Sequence, residues 1–190
     1  MMPYDADTDL SDDALMVLFA NGDEQAAVHL THRHTGRVLA LARRMLGDGA
    51  EAEDVTQEAM LRLWRIAPDW RQGQAKVSTW LYRVTANLST DRLRRRKGSD
   101  PDALADLRDE TPSAETQLIA RDRLDALQHA IAALPERQRL AMSLKYFHDL
   151  PNPEVAEVMD TTVEAVESLL ARGKRTLAQS LADRRDELGL

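Results

Sequence analysis

The chain has 190 residues and a formal net charge of -7 at pH 7, with 43% hydrophobic but only 4% aromatic residues. This composition, rich in Ala, Leu, Arg, Glu and Asp, favours helices over strands and predicts an all-helical protein of two small domains. The absence of cysteine excludes disulfides and thiolate metal sites. No apolar run approaches 18 residues and no basic-then-apolar leader is present, so we expect a cytoplasmic protein without membrane insertion.

Three or four helices are predicted in the first half of the chain from apolar spacing and capping residues. The third stops before Pro68, because the residue that precedes a proline avoids helical geometry. The first helix starts after Asp12 and Asp13, and the second starts after Asp23 and ends near Gly47 to Gly49. The third runs from about Ala50 to Ile66 and the fourth from about Ser78 to Lys97.

Three histidines, His29, His32 and His34, lie close together near the start of the second helix. On a helix only the pair spaced by three residues faces one way, and no carboxylate follows at a ligand spacing. We therefore predict a solvated or partner-facing surface here and no metal site.

Charge is distributed unevenly along the chain. Residues 1–97 carry 14 basic and 14 acidic side chains, residues 98–117 carry 1 and 6, and residues 118–190 carry 10 and 12, which together account for the 25 and 32 of the whole chain. The segment 98–117 also contains Gly, Pro and Ser and is predicted to be a linker. Its acidity would keep it away from DNA phosphates or would serve solubility alone, and the sequence leaves both readings open.

The second half predicts a helix that ends at Pro135, with this proline at the first position of the next helix. A short helix follows, capped by Asn152 and running to about Met159. After a turn, Thr161 and Glu164 have the spacing of a capping box for a last helix through Leu177. This order of helix, turn and helix is typical of a DNA-binding motif, although an ordinary helical hairpin is the alternative.

In such a motif the second helix presents its first residues to bases and flanking cations to phosphates. Glu164 and Glu167 lie in the part of the second helix that would face bases, and they fit this role poorly. Glutamate repels phosphate and, among base edges, accepts only from cytosine amino groups. The candidates for base contact are Thr162, Glu164, Ala165, Glu167 and Ser168, and those for phosphate contact are Arg172, Lys174 and Arg175.

The end of the fourth helix is basic, and residues 83–97 hold six bases against one acid. Trp70, Trp80 and Tyr82 lie just upstream, and aromatic rings beside a basic strip suit unpaired DNA. Aromatic residues at helical spacing are also common in a core, so a buried role is the alternative.

Several blocks of this sequence together resemble a known family. Residues 52–65 (AEDVTQEAMLRLWR), 78–83 (STWLYR) and 87–96 (NLSTDRLRRR) resemble region 2 of the extracytoplasmic-function sigma factors of bacterial RNA polymerase. Residues 134–139 (LPERQR) and 152–157 (NPEVAE) resemble region 4 of the same family. The resemblance implies region 2 in residues 1–97, a linker in residues 98–117 and region 4 in residues 118–190.

The resemblance also implies partners and contact residues. Region 2 of the family docks on the clamp helices of the largest polymerase subunit, and Asp54, Gln57 and Glu58 match that pattern. Region 4 reads the -35 element and contacts the polymerase flap, and the linker follows the RNA exit path. An anti-sigma protein usually restrains members of this group. The residues that match the -10 recognition element are Ser78, Thr79, Trp80, Arg83, Asn87, Arg92 and Arg94.

One departure from the family pattern concerns Glu164 and Glu167, where many members carry Gly and Lys, so the -35 preference is not transferable. Two other functions fit part of the sequence: a freestanding helix-turn-helix regulator, and a decoy that binds an anti-sigma protein without touching DNA. A freestanding regulator does not explain the polar face formed by Asp54, Gln57 and Glu58. A decoy that never touches DNA would not need the basic side chains that are retained in Arg92–Lys97. No glycine-rich phosphate loop or nucleophile elbow is present, so we expect neither an enzyme nor a cofactor.

Overall fold

The computed structural model describes residues 10–99 and 126–182. These two ranges contain helices and turns and no strand, which confirms the all-helical prediction. The helices are α1 (Asp12–Ala20), α2 (Glu24–Leu46), α3 (Gly49–Ile66), a 3-10 turn (Ala67–Asp69), α4 (Val77–Ser99), α5 (residues 126–132), α6 (Glu136–Phe147), α7 (Asn152–Val158) and α8 (Val163–Ala182). The predicted linker lies outside the described residues apart from its first two, into which α4 continues.

Helices α1 to α4 form a first bundle around apolar residues at helical spacing. Leu15, Leu30, Leu63 and Leu81 from the four helices are fully buried in one cluster. Burying a leucine side chain stabilises a fold by about 1.5–3 kcal/mol relative to leaving it exposed. This core fixes α3 and α4 side by side, with their polar faces outward.

The starts of the first three helices are capped by short polar side chains. Ser11, Asp23 and Asp48 accept from backbone N–H groups at 3.2, 2.9 and 2.9 Å. Helix α2 ends at Leu46 with Gly47 as its cap residue, close to the predicted end near Gly47 to Gly49. Asp12 and Asp13 lie within the first turn of α1, so their carboxylates are available for contacts with other parts of the bundle.

The histidine prediction was wrong for one residue. His34 is only 6% exposed, and its Nε2 lies 2.7 Å from Oδ2 of Asp12. This hydrogen bond is the main cause that lowers the pKa of Asp12. His34 therefore joins α2 to α1 inside the bundle instead of lying on a surface.

Across residues 10–99 and 126–182, no group of three acidic, His or Cys side chains is placed to hold a metal ion.

Helices α5 to α8 form a second bundle. Leu144, Val155 and Val166 are fully buried between α6, α7 and α8. At Gly173 a Cβ atom would lie 3.0 Å from Cγ of Met142, so glycine allows α8 to approach α6 closely. A glycine in a helix interior lowers the stability of the helix by about 1 kcal/mol relative to alanine. The close approach of α8 to α6 explains why glycine is nevertheless found at position 173.

The predicted helix, turn and helix is confirmed in α7 and α8, but the predicted caps were wrong. Helix α7 already includes Asn152, and Pro151 is the cap residue. Helix α8 is capped by Thr162, whose hydroxyl accepts from the N–H of Ala165 at 3.2 Å, and not by Thr161.

The same one-residue error occurs at α6, where Pro135 is the cap residue and not the first helical residue. At α6, α7 and α8 the predicted cap or first residue is wrong by one position, and α1 begins at Asp12, two residues before its predicted start. Backbone dihedral angles decide the cap, and at Pro135 these are extended in ψ, at 138°.

The two bundles pack against each other along a surface that we call the seam. Helix α2 faces α6, and α4 faces α7. Leu41, Met45 and Tyr82 of the first bundle belong to the same buried cluster as Leu140 and Leu144 of the second. The two predicted domains therefore share one continuous core in this structure.

Within the described ranges, no helix has the length and apolarity needed to cross a membrane.

Candidate functional site

The three residues predicted to bind polymerase lie together on the outer face of α3. Asp54 and Gln57 are exposed and Glu58 is partly exposed. Leu61 is 47% exposed one turn further along the same face. An exposed apolar residue with polar neighbours is a common composition for the centre of a protein interface. Leu61 was not predicted as part of this site, although its spacing of four from Gln57 was an available signal.

Arginine side chains hold two of these carboxylates in place. Arg62 Nε donates to Glu58 Oε1 at 2.8 Å, and this hydrogen bond lowers the pKa of Glu58. Arg92 on α4 donates to Asp54 Oδ2 at 3.3 Å. The second contact joins the acidic face of α3 to the basic end of α4, so the two predicted binding surfaces meet along one edge of the first bundle.

A loop of residues 70–76, which we call the α4 loop, connects the 3-10 turn to α4. Trp70 donates from Nε1 to Oδ1 of Asp13 at 2.9 Å, and the Gly73 N–H donates to Oδ2 of the same carboxylate at 3.2 Å. The Trp70 ring meets the Trp80 ring edge-on, with centroids 6.3 Å apart. Asp13 was not predicted as a functional residue, because only its place near a helix start was visible in the sequence.

The residues predicted for the -10 element divide into three groups by exposure. Arg83, Asn87 and Arg94 are exposed along α4. Thr79 is 3% exposed, and its side chain faces the interior of the bundle. The others, Ser78, Trp80 and Arg92, are partly buried.

The aromatic rings near this helix are also less exposed than stacking platforms would be. Tyr82 is 3% exposed and packs on His148 across the seam, with ring centroids 4.8 Å apart. The buried alternative therefore holds for Tyr82.

Three polar residues at intervals of seven along the α4 side of the seam contact acidic side chains of the second bundle. We call these contacts the acidic row. Each acidic partner comes from α6, α7 or the turn after α7. The pairs are Lys76 with Glu154, Arg83 with Asp160 at 3.6 Å, and Thr90 with Glu136 at 2.7 Å. One edge of α4 is therefore covered by carboxylates in this structure.

His148 packs against the Tyr82 ring at the seam. Burial first, and then the positive charges of Arg44 and Arg37, lower the pKa of His148 to about 4. Arg44 also lies over the ring of Phe147 at 4.0 Å. The imidazole is therefore neutral at physiological pH, and the seam contains no buried positive charge at this position.

The predicted reading face of α8 is open to solvent. Its exposed members are Thr162, Glu164, Glu167, Ser168, Arg172, Lys174 and Arg175, and Ala165 is half-buried. Arg172 donates to the Ser168 hydroxyl at 2.7 Å, and Lys174 lies 5.2 Å from the Tyr146 ring centre. A hydrogen bond with its own backbone N–H, followed by one with Thr162, lowers the pKa of Glu164. The N-terminal end of the helix is thus anionic, and its middle is cationic.

Comparison with known proteins places both halves of the chain in one family. The family model for Sigma-70 region 2 matches residues 30–99, and that for Sigma-70, region 4 matches residues 124–177. The chain is 31% identical over 176 residues to the ECF RNA polymerase sigma factor SigW of Bacillus subtilis, covering 85% of this chain and 92% of the relative. The chain belongs to the ECF group of the sigma-70 family.

Other relatives of this ECF chain support the same grouping. It is 32% identical over 174 residues to SigM of Mycobacterium tuberculosis, covering 90% of this chain and 85% of the relative. Among solved structures, CnrH in complex with the cytosolic domain of CnrY matches with a TM-score of 0.68 and 25% identity, covering 90% and 97% of the two chains. RpoE of Bartonella quintana, solved with the anti-sigma factor NepR, shares the fold with a TM-score of 0.62 at 19% identity over 78% and 91%.

Proposed function

We propose that this ECF factor binds core RNA polymerase in the cytoplasm and directs it to promoters by recognising -10 and -35 elements and melting DNA. The observation that carries the proposal is the Asp54–Arg92 contact, which joins an acidic face on α3 to a basic edge on α4. A freestanding duplex-binding regulator has no use for the first of these surfaces. A factor that brings polymerase to DNA needs both.

The clamp helices of the largest polymerase subunit are the proposed partner of the α3 face. Asp54, Gln57 and Glu58 offer acceptors there, and Leu61 adds apolar area between them. The few residues that cost more than about 1 kcal/mol when truncated cluster near the centre of such interfaces. Arg62 and Arg92 orient two of the carboxylates before the partner arrives, which reduces the entropy lost on binding.

The α4 loop and the exposed bases of α4 are the proposed site for the -10 element. Arg83, Asn87 and Arg94 line one side of α4 and are suited to phosphates of the non-template strand. Unstacking a base step costs a few kcal/mol, which stacking and pocket contacts to the extruded base offset without any catalysed reaction. Thr79 is buried, and its proposed role changes from a DNA contact to support of the loop.

Helix α8 is the proposed reader of the -35 element. Arg172, Lys174 and Arg175 are exposed and suited to phosphates, while Glu164 and Glu167 at the reading end select against many sequences by repulsion. The two promoter elements are separated by about 25 base pairs, or about 85 Å at 3.4 Å per step. In this structure α4 contacts α7, which in turn contacts α8, so the proposal requires the two bundles to part when both elements are bound.

An anti-sigma protein is the proposed inhibitor of this chain. The solved relatives CnrH and RpoE were captured with CnrY and the anti-sigma factor NepR, respectively. A protein inhibitor that binds both bundles would stabilise an arrangement in which promoter DNA is excluded. Purification of the chain from its native host without any bound inhibitor would contradict this part of the proposal.

Multi-round transcription in vitro tests the main proposal. Purified core polymerase and genomic promoter fragments are incubated with and without the full chain. We expect specific transcripts that appear only when the chain is added. Binding to core without transcripts would support the decoy, and tight sequence-specific duplex binding without polymerase would support a freestanding regulator.

A further inference from the structure

Asp13 on α1 uses both oxygens of one carboxylate to hold the α4 loop. Its two donors are the Trp70 indole N–H and the Gly73 backbone N–H, which are 57 and 60 residues away in the sequence. Hydrogen bonds to an ionised acceptor are about twice as strong as those between neutral groups. The first turn of α1 is thus connected to the segment that precedes α4.

The α4 loop has little other burial to fix its shape. Residues 71–74 are all exposed, and Gly73 has a φ of +79°, in the left-handed region that favours glycine. Nothing lies within 4 Å of the place where a Gly73 side chain would begin. A segment with few buried contacts opens at low free energy, so its conformation depends strongly on each anchor.

Trp70, which donates to Asp13, also packs against Trp80 at the start of α4. The Trp70 ring lies edge-on to Trp80, at an interplanar angle of 85°. Trp80 is one of the proposed -10 contacts. A shift of Trp70 after loss of Asp13 would therefore move both the loop and the ring beside it.

We propose that Asp13 is a positioning residue that holds the α4 loop in the conformation that captures unpaired -10 bases. This role rests on the proposed function of the loop. It assigns a part in promoter recognition to α1, which lies before the residues 30–99 that match the region 2 model. Asp13 itself is directed at the loop and need not touch DNA.

Three single variants of the full chain test this role. Asp13→Ala removes both acceptors, and Trp70→Phe removes the indole N–H while keeping an aromatic ring against Trp80. Asp23→Ala is the matched control, because Asp23 also accepts from a backbone N–H at a helix start, at 2.9 Å, but caps α2. Thermal unfolding of the variants shows whether Asp13→Ala and the control are similarly destabilised.

The measurement uses holoenzyme reconstituted with each variant. The probe is a labelled non-template oligonucleotide that covers the -10 region of the promoter most active with the unaltered chain, and its competitor has the same bases scrambled. We expect Asp13→Ala and Trp70→Phe each to lower the preference for the promoter sequence by about tenfold, as loss of a charge-assisted hydrogen bond predicts. The double variant should lose no more than Asp13→Ala alone, because Asp13→Ala already removes the hydrogen bond that Trp70→Phe removes. Affinity for core polymerase should not change.

The positioning role would be overturned if holoenzyme with Asp13→Ala preferred the promoter oligonucleotide over the scrambled one as strongly as holoenzyme with Asp23→Ala does. Additive losses in the double variant would also overturn it, since the two residues would then act separately. Failure of the unaltered chain to give any preference or transcript is a different result, which would reject the proposed function itself.

Discussion

Arg139 of α6 donates from Nη1 to the backbone carbonyl of Met45 at 2.7 Å, so a side chain of the second bundle closes the C-terminal end of α2 in the first. A second hydrogen bond runs from its Nη2 to the carbonyl of Leu134 at 3.1 Å. Burial lowers the pKa of Arg139 from its ordinary value, yet the guanidinium stays charged. A positive group at this helix end also interacts favourably with the helix dipole.

Replacing Arg139 with Ala should therefore destabilise the chain by about 1.5–3 kcal/mol, because two carbonyl acceptors lose a charged donor. Urea unfolding of the full chain measures the change. Arg137→Ala is the matched control, since Arg137 is exposed on the same turn of α6. Equal midpoints for the two variants would show that the contact across the seam adds nothing to stability.

The α3 face predicts a selective loss of polymerase binding. Asp54→Ala and Gln57→Lys should each weaken affinity for core polymerase by about tenfold while leaving the unfolding temperature nearly unchanged, because both side chains are exposed. Glu53→Ala provides the control, as Glu53 is exposed next to Asp54 but pairs with Arg43 on α2 at 3.4 Å. A competition assay with labelled chain gives the affinities, and a loss shared by all three variants would argue against a defined face.

The cationic middle of α8 predicts a change in salt dependence. Arg172→Ala or Lys174→Ala should lower promoter affinity for all sequences, and should reduce the slope of log affinity against log salt by about one unit per lost phosphate contact. The comparison is with Arg43→Ala, which removes an exposed positive charge elsewhere. An unaltered slope in the α8 variants would place these residues away from phosphate.

His148 predicts a loss of stability in mild acid. Its pKa of about 4 in the folded chain lies below the ordinary value of 6.5, so the folded state binds fewer protons than the unfolded state between these values. The contribution is present in full above about pH 6.5 and is lost as the pH falls towards 4. His148→Phe should flatten unfolding midpoints across this window, while His32→Phe, at an exposed position, should not. A parallel decline in all three chains would assign the acid sensitivity to other groups.

Helix positions and the helix-turn-helix were predictable from the sequence because apolar spacing and turn residues are local signals. The error at Thr161 arose because the neighbouring Thr162 also fits a cap, and the error at Asn152 arose because α7 begins one residue earlier, with Pro151 as its cap residue. From the sequence, Gly173 indicates only a loss of helix stability. The structure gives its reason, because a Cβ atom at this position would lie 3.0 Å from Cγ of Met142.

Contacts between distant parts of the chain were not predictable in this way. Asp13 and Trp70 lie 57 residues apart, and the seam pairs apolar faces that serve equally well for packing within one bundle. The outer face of α3 was easier to predict, since residues 54, 57 and 58 lie on one helix with a fixed geometry.

If the two bundles part on promoter binding, as proposed, the acidic row bears on the order in which the polar contacts across the seam break. Its three contacts lie about two helical turns apart along α4, from Lys76 near the start to Thr90 towards the end. A hinge motion that begins at one end breaks them one after another, whereas a straight separation must break all three together. The stepwise path has the smaller barrier at each stage. We therefore expect the proposed opening to start at an end of α4, and the α4 loop lies next to one of those ends.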